Sequence, residues 1–462
     1  MRRTLERDMP DTGDPVALSA TQERLWVVDQ LAPEGSYNVP LCFRLTGALD
    51  DDALHRAAQS VTRRHGALRT RFDDTMGVPS GRLTPPEDVR VDVERAEADG
   101  RGRALDRLLY EAAIRPFDLS TGPLLRLQVV NLPGAVHIVL VVVHHGAFDG
   151  LSGPILTREL WHLYDAYASG KDPALPEPSA AYGDFARLQR DWLDGADAAE
   201  QLTYWTQRLL DPPAPLHVSA PDLRPAFPDE LSCGVVEFGF SPEAVQATAR
   251  ACADLGATPF MVLLASFAAS LARRTGAQDL IIGTPVTERP AKEFEAVIGP
   301  FDNTLLIRLD AEPAATAGQF VEQVSDVTVQ ALLHKDIPFQ HVVRSAAPAR
   351  GESAAPALCN VAFSVEERPQ DPGAVHGAVV SAAPWLFVPP ARFDLTLMVE
   401  LSEGCFTGRF YFDPERVGES ALRALAEDLV AMPVLFAREP DSPLFPAGRQ
   451  SRNASHEKKG SS

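Results

Sequence analysis

No apolar run in the 462 residues approaches the roughly 20 that a membrane-spanning helix needs. The longest strongly apolar stretch, Val136 to Val143, has the size of a strand. The opening MRRTLERDMPDTGD has no apolar core and does not read as a secretory signal. Lysine is scarce, occurring only at 171, 292, 335, 458 and 459, so positive charge is almost all arginine. The five cysteines (Cys42, Cys233, Cys252, Cys359, Cys405) are odd in number and scattered, with no CxxC pair. That argues against a disulfide framework or a zinc site and fits a reducing cytoplasm. The formal net charge of -20 disfavours nucleic acid as a partner. No internal sequence repeat is visible.

What is present is ordinary globular material, 45% hydrophobic and 23% charged, in a chain too long for one core. Two units of about 200 residues are expected. Ser19–Leu31 reads as an amphipathic helix capped by Ser19 or Thr21. Strand patterns at Leu41–Leu45 and Leu68–Phe72 flank a helical one from Asp50 to Arg64, and another helix is expected around Arg103–Ala113. Strands at Leu124–Val130 and His137–Val143 are joined by the turn Leu132-Pro133-Gly134, and a helix from Leu151 to Tyr167 follows. Asp211–Pro225, rich in proline, reads as a linker. Beyond it, strands are expected at Cys233–Phe240, Leu280–Ile282, Asn303–Leu309, Asn360–Val365, Leu395–Leu401 and Phe406–Phe412. Helices are expected at Ser241–Ala253, Ala317–His334 and Glu415 to about Leu435. A further helix opens at Thr258-Pro259 and closes at Gly276, with proline at its first position and glycine past its end.

The sharpest motif is HHGAFDG, His144 to Gly150, between the strand VHIVLVVV and a helix. Adjacent histidines at a strand end point to opposite faces, so one can line a cavity while the other packs into the fold. His145 is the catalytic candidate, and His144 reads as structural. Asp149 can fold back to orient an imidazole or pair with an arginine, and the second reading makes it a support rather than a proton carrier. Gly150 allows close backbone approach, and its N–H near a helix N-terminus could stabilise an oxyanion. A metal site is not expected: the histidines diverge, and no third histidine or cysteine lies at ligand spacing.

With this motif the chain resembles the condensation domains of nonribosomal peptide synthetases, in the chloramphenicol-acetyltransferase-like superfamily. The resemblance runs from about residue 16 to 440. SATQERLWVVDQL resembles the opening helix, RRHGALRTRF (63–72) the RHExLRTxF motif, and PFDLSTGPLLR (116–126), YGDFA (182–186) and YWTQRL (204–209) three further segments. GTPVTER (283–289), IGPFDNTLLIR (298–308) and HKDIPFQ (334–340) follow in family order. Four positions depart from the pattern: Gly66 for glutamate, Asp302 for valine, Lys335 for glutamine and Gln340 for glutamate.

The resemblance implies an α/β (α+β) fold of two acetyltransferase-like lobes in a V-shaped pseudo-dimer, with His145 in a central channel. The expected layout is a flexible N-terminus (1–14), a first lobe (15–180), connecting helices and linker (181–225), a second lobe (226–440) and a disordered tail (446–462). It implies Arg289 as partner of Asp149, with Arg64 and Arg69 as alternatives. It places Asp302, Asn303 and Ser152 near the channel, and bridging segments near Ile298–Asn303 and Val365–Arg392. The activity implied is that of a monomeric acyltransferase, expected in the cytoplasm; nothing after residue 445 resembles an adenylation domain and nothing before residue 15 a carrier, so a free-standing enzyme is expected, with an excised domain as the alternative. The enzyme would join an acyl or aminoacyl thioester, carried on the phosphopantetheine of a carrier protein in trans, to a small-molecule or carrier-bound amine or alcohol. No bound cofactor is implied. The alternatives are an acyltransferase using acyl-CoA or polyketide carriers, a non-catalytic carrier-recruitment domain and an epimerase of the same superfamily.

Overall fold

The computed structural model describes residues 15–31, 35–75, 78–100, 102–220, 233–287, 289–312, 315–346, 358–367, 371–383, 393–402 and 404–445. The expected loose N-terminus, the tail and the end of the proline-rich linker lie outside the described residues.

The first half contains β1 (Pro15–Val16), α1 (Ala20–Asp29), β2 (Asn38–Thr46), α2 (Asp51–Arg64), β3 (Thr70–Thr75), β4 (Val78–Leu83), β5 (Val93–Glu97), α3 (Arg103–Ile114), β6 (Leu125–Leu132), β7 (Val136–His144) and α4 (Ser152–Ala168). Then come α5 (Tyr182–Leu193) and α6 (Ala196–Arg208). The second half contains β8 (Gly234–Gly239), α7 (Pro242–Leu255), α8 (Pro259–Thr275), β9 (Asp279–Thr287), β10 (Asp302–Asp310), α9 (Ala317–Leu333), α10 (Phe339–Ala346), β11 (Val361–Glu367), β12 (Gly373–Val375), β13 (Ala378–Ala382), β14 (Leu395–Ser402), β15 (Cys405–Phe412) and α11 (Glu419–Arg438).

Local signals explain most boundaries. Ser19, not Thr21, caps α1: its hydroxyl accepts from the Gln22 N–H, and the Gln22 side chain returns to the Ser19 N–H. Thr258 caps α8, Pro259 fills its first position, and Gly276 ends it in the left-handed conformation at φ 73°. Every residue from Met261 to Ala272 of α8 is buried, as expected of a helix apolar all round. The strand expected at Leu68–Phe72 begins later. Gly66–Arg69 form a 3-10 turn that sinks Ala67 and Leu68 into the core, and only Thr70 onward pairs with β4.

Two six-stranded sheets organise the two halves. The first has the order β12-β13-β2-β7-β6-β5, and the second β10-β9-β11-β14-β15-β8. Strand β7 is central and buried on both faces, which is why its sequence is continuous rather than alternating. Val139, Val141 and Val143 enter one apolar cluster with α2 and α4, while Ile138, Leu140 and Val142 enter another with Leu105 and Leu109 of α3. The first sheet also borrows from the far half of the chain. Strand β13 pairs antiparallel with β2, from Val379 opposite Thr46 to Ala382 opposite Phe43. This crossover falls inside the expected bridging segment Val365–Arg392; residues 384–392 lie outside the described ones. The segment around Ile298 crosses too, since Val297, Ile298 and Phe301 pack into the first lobe's core. No single helix among the described residues is long and apolar enough to cross a membrane.

Candidate active site

The alternation of β7 carries through to the histidine pair. His144 continues the Ile138, Leu140, Val142 side of the strand and stays buried, its ring edge-to-face with Phe117 at 6.0 Å. Its Nδ1 accepts the Gly146 N–H at 3.1 Å, and its Nε2 lies 3.3 Å from Asp29 Oδ1. Both ring nitrogens are therefore engaged in holding the turn. At His145 the strand gives way to a 3-10 turn, His145–Ala147. The His145 N–H donates to the Tyr37 carbonyl at 2.8 Å, and Gln22 Nε2 donates to the Gly146 carbonyl at 3.1 Å. The backbone is thus pinned from two sides while the His145 side chain, 12% exposed, opens onto a cavity.

Asp149 is wholly buried and saturated with donors. Arg289 grips it in a two-pronged pair, Nη1 to Oδ2 at 2.9 Å and Nη2 to Oδ1 at 3.1 Å. The Ser152 N–H reaches Oδ1 at 2.8 Å, the Ser152 hydroxyl lies 2.6 Å from the same oxygen, and the Phe301 N–H reaches Oδ2 at 3.1 Å. A carboxylate so occupied supports geometry and does not shuttle protons. Of the two readings open for Asp149, the structure takes the arginine pair. Arg289 also stacks on Phe301, 4.4 Å from the ring centroid, and donates to the Val297 carbonyl at 3.1 Å. Arg289 and Phe301 belong to the second half of the chain, so this cluster bolts the two lobes together beside His145.

The alternatives Arg64 and Arg69 lie elsewhere. Arg64, in the last turn of α2, meets Glu159 of α4 at 3.1 Å, where His65 Nε2 also binds that carboxylate at 2.7 Å. Arg69 Nη1 donates to the Thr84 carbonyl at 2.7 Å. Two expected cavity residues are corrected as well. Ser152 is fully buried in the Asp149 cluster, where its hydroxyl accepts the Gly299 N–H at 3.1 Å. Asn303 faces away from the cavity. Its amide donates to the Lys335 and Ile337 carbonyls at 2.8 and 2.7 Å, and its oxygen accepts from Phe339 N–H at 2.9 Å. Both polar side chains are consumed by orphan backbone groups, a demand that no local sequence pattern announces. Gly150 lines the cavity just before α4, and Asp302 lines it opposite His145, its Oδ2 3.9 Å from Nε2.

Tyr182 stands in the sequence only as one letter of the YGDFA segment, yet it forms the seam. It is buried, its hydroxyl bonds Ser19 Oγ at 2.7 Å and donates to the Pro300 carbonyl at 2.9 Å, and its ring meets Phe301 edge-on at 4.9 Å. Burial holds its hydroxyl well above the usual phenol range, so it remains a neutral donor. Gly299 sits so close that a Cβ there would lie 2.0 Å from Tyr182 Cδ2. Gly299→Ala is therefore expected to cost about 1–3 kcal/mol through overpacking. It should also displace the segment that carries Asp302, an effect read by guanidinium denaturation together with activity.

The cavity measures about 2590 Å³ and is walled by both lobes. Tyr37, His145, Gly150 and Trp161 come from the first, and Thr284, Asp302 and Phe339 from the second. Its far wall is the β11-β14-β15-β8 face, where Arg409 binds Glu237 at 2.7 Å and Glu400 at 3.2 Å. Glu366, directly opposite Glu400 across the ladder, is exposed toward the cavity it lines and enclosed by the surrounding protein. That burial, then the Glu400 charge, hold its carboxyl above the usual range, against the pull of Arg409. Among the described residues no group of three or more histidine, cysteine, aspartate or glutamate side chains could hold a metal ion.

Comparison with known proteins gives a consistent picture. The family described as "Condensation domain" matches residues 13–444. Phosphinothricin tripeptide synthetase PhsC of Streptomyces viridochromogenes is 36% identical over 93% of this chain, and malpibaldin synthetase of Mortierella alpina is 35% identical over 73%. The matched regions make up 41% and 6% of those two relatives, so the chain spans less than half the length of either. Among solved structures, the X-domain from teicoplanin biosynthesis superposes with a TM-score of 0.84 at 23% identity, covering 95% of this chain and 98% of that one. The first condensation domain of the calcium-dependent antibiotic synthetase, in complex with a substrate analogue, gives 0.76 at 22%, covering 94% and 98%. The two-lobed architecture is that of these domains, a V-shaped pseudo-dimer of mixed α/β lobes. From its matched length, its relatives and its fold, this chain belongs to the condensation-domain family of nonribosomal peptide synthesis.

Proposed function

We infer that the chain is an acyltransferase that joins an acyl or aminoacyl thioester, borne on the phosphopantetheine arm of a carrier protein, to an amine or alcohol acceptor. The observation that carries this reading is the His145 imidazole opening into a cavity walled by both lobes. At about 2590 Å³ the cavity exceeds the roughly 300–1,000 Å³ of an ordinary small-molecule pocket. That leaves room for an extended arm and an acceptor together.

In this mechanism the acceptor X–H gives its proton to His145 Nε2 as its lone pair attacks the thioester carbonyl. The carbonyl π electrons move to oxygen, and the Gly150 backbone, which lines the same cavity, would stabilise that charge. Collapse breaks the C–S bond, and the departing thiolate recovers the proton from the imidazolium. The products are an amide or ester and a free pantetheine thiol, with the ring returned to neutral. An alcohol needs the base more than an amine does, because it is the weaker nucleophile near neutral pH.

A docking platform is the second reading, favoured by the high TM-score with the teicoplanin X-domain, which has been solved in complex with OxyB. Against it stands the complete HHxxxDG cluster beside an accessible imidazole. A mass-spectrometric assay separates the readings: acyl-loaded carrier and acyl-CoA donors are each offered with a panel of amines and alcohols. Product from the carrier donor is the expected result. Product from acyl-CoA alone would move the chain to the CoA-dependent acyltransferases, and no product from any pair would favour the platform.

A further inference from the structure

We propose that Asp302 is the electrostatic partner of His145, a carboxylate delivered by the second lobe to stabilise the imidazolium formed during proton transfer. The inference rests on the proposed acyl transfer and adds a positioning residue to it. Asp302 Oδ2 lies 3.9 Å from His145 Nε2, with the two side chains 14% and 12% exposed. A negative charge at that distance favours the protonated ring, and enclosure limits its screening by salt.

The carboxylate is also fixed in place. Asp302 is the first residue of β10, paired with Thr287, and its carbonyl accepts from Thr21 Oγ1 at 3.0 Å. On one side the Phe301 N–H is tied to Asp149, and on the other Asn303 is clamped to the Lys335 and Ile337 carbonyls. The Asp149 cluster thus sets the register of the segment that presents Asp302, which links the buried aspartate of the motif to the open histidine.

Several other charged groups on the elements packed around the site are engaged elsewhere. Asp149 is paired with Arg289, Asp29 of α1 lies beside His144, Glu23 of α1 is paired with Arg190, and Arg69 is bound to the Thr84 carbonyl. Arg24 and Arg344 line the same cavity from α1 and α10, and Tyr37 meets His145 through its carbonyl. Asp302 is the carboxylate set against Nε2.

The test is Asp302→Asn, which keeps the shape and removes the charge. An NMR titration of labelled imidazoles, with the His145 signal assigned by its loss in His145→Ala, needs no substrate. The His145 midpoint should fall by about one pH unit or more in the variant. Asp302→Glu, which keeps the charge, should bring it back toward the wild-type value. In condensation assays the ascending limb of the pH–rate profile should move to lower pH by the same amount, with the plateau rate down about tenfold. An unmoved midpoint overturns the role of Asp302 whatever the activity. A lowered midpoint in the variant, where the wild-type protein itself condenses nothing at any pH, supports the pairing and overturns the acyl-transfer reading instead.

Discussion

His145→Ala is expected to lower the condensation rate on a loaded carrier by about 10²–10⁴-fold, the range for loss of a positioned general base. The fold should survive. The ring projects into the cavity, and the turn beneath it is held by the Tyr37 carbonyl, Gln22 and the buried His144, none of which the substitution touches. Truncation beside an existing cavity opens space that water can enter, so the change in unfolding free energy should stay near 0.5 kcal/mol. His144→Ala should behave in the opposite way: it removes a buried ring, leaves the Gly146 N–H without its acceptor and lowers stability first. The pair of measurements matters more than either alone. A His145→Ala protein that condenses at the wild-type rate would remove the histidine from the mechanism. A loss of rate that tracks loss of fold would make the residue structural.

Breaking the Asp149–Arg289 pair is expected to have the largest effect on stability. With Asp149 fully buried and Arg289 5% exposed, removing either partner strands a charge away from water. Asp149→Ala and Arg289→Ala should each cost about 3–5 kcal/mol, read as a shift of the denaturation midpoint. Replacing both together with apolar residues of similar volume, as in Asp149→Leu with Arg289→Met, should recover only part of that stability, because the buried Ser152 and Phe301 N–H groups lose their acceptor. It should not recover activity, because Phe301, Gly299 and Asp302 would lose the anchor that registers them against His145. If the double variant regained full condensation, the cluster would be a stabilising device with no bearing on the site.

What can be read from the sequence is whatever has a local cause. Caps at Ser19 and Thr258, the proline and glycine bounding α8, and the continuous apolar run of β7 all act within a few residues. The strand–turn–helix setting of HHGAFDG follows from the same signals. Other features depend on partners far along the chain. Strand β13 has no pattern that names β2 as its neighbour. Ser152 and Asn303 look like polar residues free to face substrate, but each answers a backbone group from another segment. Arg64, Arg69 and Arg289 carry the same chemistry, and only the fold decides which one reaches Asp149. Tyr182 is visible as a letter in a motif, while its task at the lobe seam depends on Ser19 and Pro300.

The strand that the far half lends to the first sheet has a mechanical consequence. The lobes meet along the Tyr182 and Asp149 seam and are also clasped at a second place, where the β12–β13 hairpin lies zipped to β2. A clamshell that swallows its guest and shuts would have to unzip that ladder on each turnover. With the clasp fastened, the tethered guest of the proposed acyl transfer would enter end-on, as a thread passes through an eyelet, its traffic governed by the width of the openings rather than by the swing of the halves.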